Sequence, residues 1–172
     1  MSRARGLLIV VAVAALLAAA CGDGGSDPDA AAAKPLRSDQ VSFTATRLGG
    51  GQFDGASIQG KDTVLWFWAP WCTVCRAEAP DVVEVAAEFD GSVEVIGVAG
   101  RSEVSEMEQF LADTGTGWLD HLVDGDGAIW SQFGVVAQPA FAFVDDSGEI
   151  EVFVGALGRD ALTERMRALA AT

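Results

Sequence analysis

Trp66-Phe67-Trp68-Ala69-Pro70-Trp71-Cys72-Thr73-Val74-Cys75-Arg76-Ala77-Glu78-Ala79-Pro80 is the stretch that decides the fold. Its two cysteines stand two residues apart, at a junction. Before them Thr63 to Trp68 is a continuous apolar run, as a buried central strand requires. After them Thr73 to Phe89 has helix spacing, with Val82, Val85, Ala86 and Phe89 on one face and Asp81, Glu84 and Glu88 on another. The junction predicts Cys72 at a helix N-terminus, where the macrodipole and unpaired amides favour a thiolate. Cys75, one turn in, can reach it to close or open a disulfide. The pattern therefore implies a reversible thiol–disulfide couple, with Cys72 as exposed nucleophile and Cys75 as buried resolving thiol. A structural zinc site needs about four ligands, and beyond this pair the chain past its leader offers only the distant His121. A purely structural disulfide at this spacing closes too small a loop to stabilise much.

Outward from the motif, the chain alternates strand and helix signals. Val41 to Arg47 alternates as a strand, Gly49-Gly50-Gly51 turns the chain, and Gln52 to Asp54 can pair back. Val93 to Val98 reads as a second buried strand. Glu103 to Thr114 reads as a helix with Val104, Met107 and Leu111 inward, Ser102 and Ser105 as candidate caps, and Gly115 as its stop. Asp124-Gly125-Asp126-Gly127 lacks the spacing and distal glutamate of a calcium loop and reads as a turn capping a short helix, Ala128 to Phe133. Ala140 to Val144 and Glu149 to Val154 form a hairpin around Asp145-Asp146-Ser147-Gly148, and Asp160 to Ala171 closes the chain as a helix. The expected order is β-β-α-β-α-α-β-β-α. Strands joined through helices pair in parallel and the hairpin is antiparallel, which gives a mixed sheet with helices on both faces. No internal repeat or second domain is visible.

The 172 residues suit one domain plus a targeting segment, and half of them are apolar. The formal net charge is −14. That acidity argues against nucleic acid as a partner, because phosphates are repelled, and against lying flat on an anionic bilayer. Residues 1–20 read as an export signal, with Arg3 and Arg5 as the positive region and an uncharged apolar run from Leu7 to Ala20. Ala18-Ala19-Ala20-Cys21 resembles a bacterial lipobox, which makes Cys21 a lipidation candidate; plain cleavage after Ala20 is the alternative. Both export the domain to a space where disulfides persist. Residues 21–40, rich in Gly, Asp, Ala and Pro, read as a flexible tether with a reach of about 25 Å. Residues 41–172 form the folded domain.

Trp68-Ala69-Pro70-Trp71-Cys72-Thr73-Val74-Cys75 resembles the thioredoxin active-site motif. The longer pattern through Glu78 and Pro80, preceded by Gly60-Lys61 and Val64 to Trp68, is similar to the extracytoplasmic TlpA/ResA/DsbE branch. Within it the actinobacterial DsbE/DsbF type fits best, with Phe43-Thr44-Ala45-Thr46 and Asp54-Gly55-Ala56-Ser57 also matching. The resemblance implies an α/β thioredoxin-like fold and an enzyme exchanging disulfides with exported proteins, as an oxidant, with a membrane redox partner that resets the couple. It implies no cofactor beyond the Cys72–Cys75 disulfide. A reductant serving cytochrome c maturation or disulfide repair stays open, as does a non-enzymatic carrier of a soft metal. The resemblance also implies a cis proline facing the disulfide. Pro139 is the candidate, a trans proline opening an edge strand being the alternative. Gln138 before it is a candidate for pairing with a substrate backbone. Trp68 and Trp71 are expected beside the disulfide as substrate contacts. Glu78 is implied as the group that handles the proton of Cys75; a solvated helix glutamate is the alternative. Many thioredoxins carry a buried acid six residues before the first cysteine, and here that position is Trp66, for which a plain core role is expected.

Overall fold

The computed structural model describes residues 41–172; the expected export signal, Cys21 lipidation and tether lie outside the described residues. Seven strands form one sheet: β1 Thr44–Arg47, β2 Gln52–Asp54, β3 Thr63–Trp68, β4 Glu94–Gly100, β5 Asp120–Asp124, β6 Ala140–Val144 and β7 Ile150–Val154. Their spatial order is β2-β1-β5-β4-β3-β6-β7. Four α-helices accompany them: α1 Thr73–Glu88, α2 Val104–Thr114, α3 Ala128–Gln132 and α4 Arg159–Leu169.

The apolar run forms β3, an interior strand of the sheet with all six of its residues buried. It pairs in parallel with β4, Trp66 opposite Gly97, and antiparallel with β6, Trp66 opposite Phe141. β4 and β5 are also parallel, so α1 and α2 are successive crossovers in one direction and lie on one face. Phe110 of α2 duly stacks on Trp68, ring centroids 4.1 Å apart. Side chains alternate along a strand, so Phe67 points to the opposite face, where it meets Trp130 of α3 edge-on and Phe133. α4 returns to pack on α1. The mixed sheet with helices on both faces is thus as expected.

Three local expectations are corrected. β5 is a strand that the sequence concealed: it is short and flanked by Asp120 and Asp124, and His121 interrupts its apolar pattern. It is a strand because β4 and β1 pair with it from both sides. Neither Ser102 nor Ser105 caps α2. The cap position is Glu103 with no side-chain bond, and the Ser102 hydroxyl donates instead to the Glu106 carboxylate. The inward face of α2 centres on Met107 and Phe110, while Val104 is exposed. The expected turn before α3 is present and strongly built. Asp124, itself buried, accepts from the amides of Ile129 at 3.0 Å and Trp130 at 2.9 Å, and Asp126 accepts from Ala128 at 3.1 Å.

Candidate active site

β3 ends at Trp68, and the chain turns through Ala69 and Pro70, with the amide of Cys72 donating to the carbonyl of Ala69 at 3.0 Å. Cys72 then stands at the N-cap of α1 in extended conformation. Cys72 and Cys75 are joined in a disulfide, their Cα atoms 5.3 Å apart. The amide of Cys75 donates to Cys72 Sγ at 3.0 Å, so a helix-end N–H already faces the sulfur that the sequence assigns as nucleophile. Cys72 is not the exposed residue expected: it is buried at 6%, though more accessible than Cys75 at 0%, because the turn from β3 packs over the helix start. A reacting thiol can therefore meet only Cys72, and Cys75 is the sulfur displaced inward.

Glu78 lies one turn beyond Cys75 and is buried, so the solvated-glutamate alternative does not hold. Its Oε1 accepts from the Trp66 indole N–H at 2.8 Å. Its Oε2 is the only buried side-chain nitrogen or oxygen among the described residues with no hydrogen-bond partner. Burial pushes the carboxyl up to about 7; the indole N–H and the backbone of Leu157 oppose that, and Asp81 adds to it. A carboxyl poised near neutrality one helix turn from a disulfide cysteine can hold or release a proton at working pH. Trp66 is therefore core, as expected, but core with a polar duty.

Trp68 is wholly buried and offers a substrate no surface, which corrects its expected contact role. Its indole N–H donates to His121 Nδ1 at 3.2 Å, and His121 Nε2 lies 3.0 Å from the carbonyl of Thr116. That carbonyl can only accept, so the Nε2 proton is fixed and the ring is neutral. Burial holds its pKa below the usual histidine value, with the Thr116 carbonyl and Asp120 opposing. His121 is thus a satisfied internal histidine. Trp71, by contrast, is 56% exposed and tied by its indole N–H to the carbonyl of Arg101 at 3.2 Å. Arg101 adopts a left-handed backbone, φ 57°, with its guanidinium 5.0 Å above the Trp130 ring. No feature of the sequence marked that residue.

The Gln138–Pro139 peptide is cis. The β3–β6 register runs to Phe67 opposite Ala140, which puts Pro139 across from Trp68, at the strand end where the cysteine loop departs. The Pro139 carbonyl accepts from Gly155 at 2.8 Å, whereas the backbone of Gln138 makes no hydrogen bond among the turns, loops and caps described. Beside the motif a groove of about 290 Å³ is lined by Pro70, Trp71, Arg76, Ser105, Glu106 and Gln109. A larger cavity, about 630 Å³, opens at the opposite strand ends around Lys61, Asp62, Glu94, Trp118 and Asp120, away from the sulfurs. Among the described residues no three His, Cys, Asp or Glu side chains gather as a metal-ligand set.

A bonded cysteine pair heading a helix, on a sheet of this order, defines a thioredoxin-like thiol–disulfide oxidoreductase. The chain belongs to the AhpC/TSA family, whose description matches residues 37–153. It is 43% identical over 135 residues to the soluble secreted antigen MPT53 of Mycobacterium tuberculosis, covering 76% of each chain. It is 30% identical over 149 residues to the thiol:disulfide interchange protein DsbE of Yersinia pestis, covering 84% of this chain and 77% of that one. Among solved structures, MTB DsbF in mixed oxidised and reduced forms superposes with a TM-score of 0.74 at 45% identity, over 76% of this chain and 96% of that one. The enzyme is thus a thiol–disulfide oxidoreductase of the DsbE/DsbF type.

Proposed function

We propose that this enzyme works outside the cytoplasm as an oxidant, installing disulfides in exported proteins. The observation that carries the reading is the unequal access of the bonded sulfurs, which makes Cys72 the acceptor of an incoming thiolate. The substrate thiolate attacks Cys72 Sγ, the Cys72–Cys75 bond breaks, and its electron pair leaves on Cys75. Glu78 in its protonated form gives its proton to that thiolate. A second substrate thiolate then attacks the substrate sulfur of the mixed disulfide and releases Cys72 as a thiolate, stabilised by the amide of Cys75. The substrate gains one disulfide and the enzyme holds two electrons, which a membrane redox partner removes. Gln138, with its backbone free of loop bonds, pairs with the extended substrate chain, and exposed Trp71 packs on its side chains.

The name of the secreted mycobacterial relative supports export, and Cys21 supplies the lipid anchor. No resident cofactor is assigned beyond the disulfide. A redox titration of the Cys72–Cys75 couple tests the direction. An oxidant requires a potential well above about −300 mV, and a lower value would assign the enzyme to reduction instead.

A further inference from the structure

We propose that Trp66 is a positioning residue for the thiol chemistry, its indole N–H pinning Glu78 Oε1 so that Oε2 alone exchanges protons. The proposal rests on the reading of Glu78 as proton donor to Cys75 and deepens it. The geometry is specific. Trp66 is 0% exposed and packs beside the stacked rings of Trp68 and Phe110, at 5.9 and 6.2 Å, so burial and packing restrain its indole. It reaches 2.8 Å to Oε1 from β3, twelve residues away in sequence.

In a protonated carboxyl the carbonyl oxygen is the stronger acceptor, so an N–H fixed on one oxygen favours the form that carries the proton on the other. Trp66 thus favours the proton on Oε2, which meets no partner at hydrogen-bond distance. The bond also stabilises the anion, so its removal should make Glu78 a weaker acid. Asp81 on α1 pushes the acidity the same way as burial, and the connection after β7 contributes the backbone of Leu157, which opposes it. In this chain the strand supplies the donor and the helix supplies the acid.

The test is a carboxyl-carbon NMR titration of Glu78 in oxidised wild type and Trp66→Phe, alongside the pH–rate profile of disulfide exchange for both and for Glu78→Gln. The expected result is a Glu78 midpoint raised by about one unit in Trp66→Phe, with the inflection of the rate profile moving by the same amount. An unmoved midpoint overturns the proposal. So does a moved midpoint that the rate profile does not follow, since Trp66 would then only neighbour the carboxyl. If wild type and Glu78→Gln share one rate profile, Glu78 has no proton role; that failure is distinct from the others and removes the positioning role with it. Should Trp66→Phe not fold, the indole ¹⁵N shift of Trp66 in wild type serves instead. It should titrate with the Glu78 midpoint, and a flat curve across that range overturns the proposal.

Discussion

Glu78 is a carboxyl whose acidity is altered by where it is buried, and that makes it a stability term as well as a proton carrier. Between its ordinary value of 4.5 and about 7 the folded chain keeps the proton while the unfolded chain releases it. Stability from this group is therefore complete below pH 4.5 and is lost as pH rises through about 7. The loss is at most about 3.5 kcal/mol. Glu78→Gln has no proton to lose, so its urea stability relative to the oxidised wild type should climb between about pH 5 and pH 8. A constant difference across that range would contradict the burial argument. His121 acts with opposite sign. Its folded pKa is depressed, so its contribution is present above the ordinary histidine value and fades as pH falls, and only single variants will separate the two curves. At this scale the cysteine pair was legible because spacing along the chain is all it needs. The bond from Trp66 to Glu78 was not, because it joins two elements that meet only through packing.

Elements show the same division. β3 and α1 could be read almost to the residue, since six successive buried positions and a cysteine at a helix start leave little choice. α2 was rotated in the reading: Phe110 faces inward because Trp66 and Trp68 offer it an aromatic surface, and Val104 has no such surface. β5 escaped because its burial is imposed by neighbours on both sides. At its end Asp124 carries α3, a helix of five residues that could not persist alone. Asp124→Ala removes both side-chain acceptors from the Ile129 and Trp130 amides and should cost about 2–3 kcal/mol, read as a lower urea midpoint with unchanged slope. A loss under about 0.5 kcal/mol would show that α3 is held by Trp130 and Phe133 packing alone. Asp124→Asn, which keeps an acceptor, should fall between.

Over the whole molecule, 25 acidic residues face 11 cationic ones. Several of the arginines are already engaged: Arg47 with Asp120, Arg76 with Asp113, Arg159 with Glu84 and Glu88, Arg165 with Glu151. The remaining field is negative and should steer basic partners toward the enzyme. Exchange with a basic thiol protein should slow as ionic strength rises from about 0.01 to 0.15 M, where the screening length falls from about 30 to 8 Å. Exchange with an acidic one should quicken, and identical salt slopes for the two would deny any steering. The narrow opening over Cys72 has a consequence for timing. A nucleophile must approach a disulfide sulfur along the line of the bond it breaks, and Cys72 is only slightly exposed. A cysteine fixed in a compact partner should therefore reach that sulfur less readily than one on a slack, extended stretch. Exchange with one thiol protein should accordingly run faster when that protein is unfolded than when it is folded, and equal rates would deny the constraint.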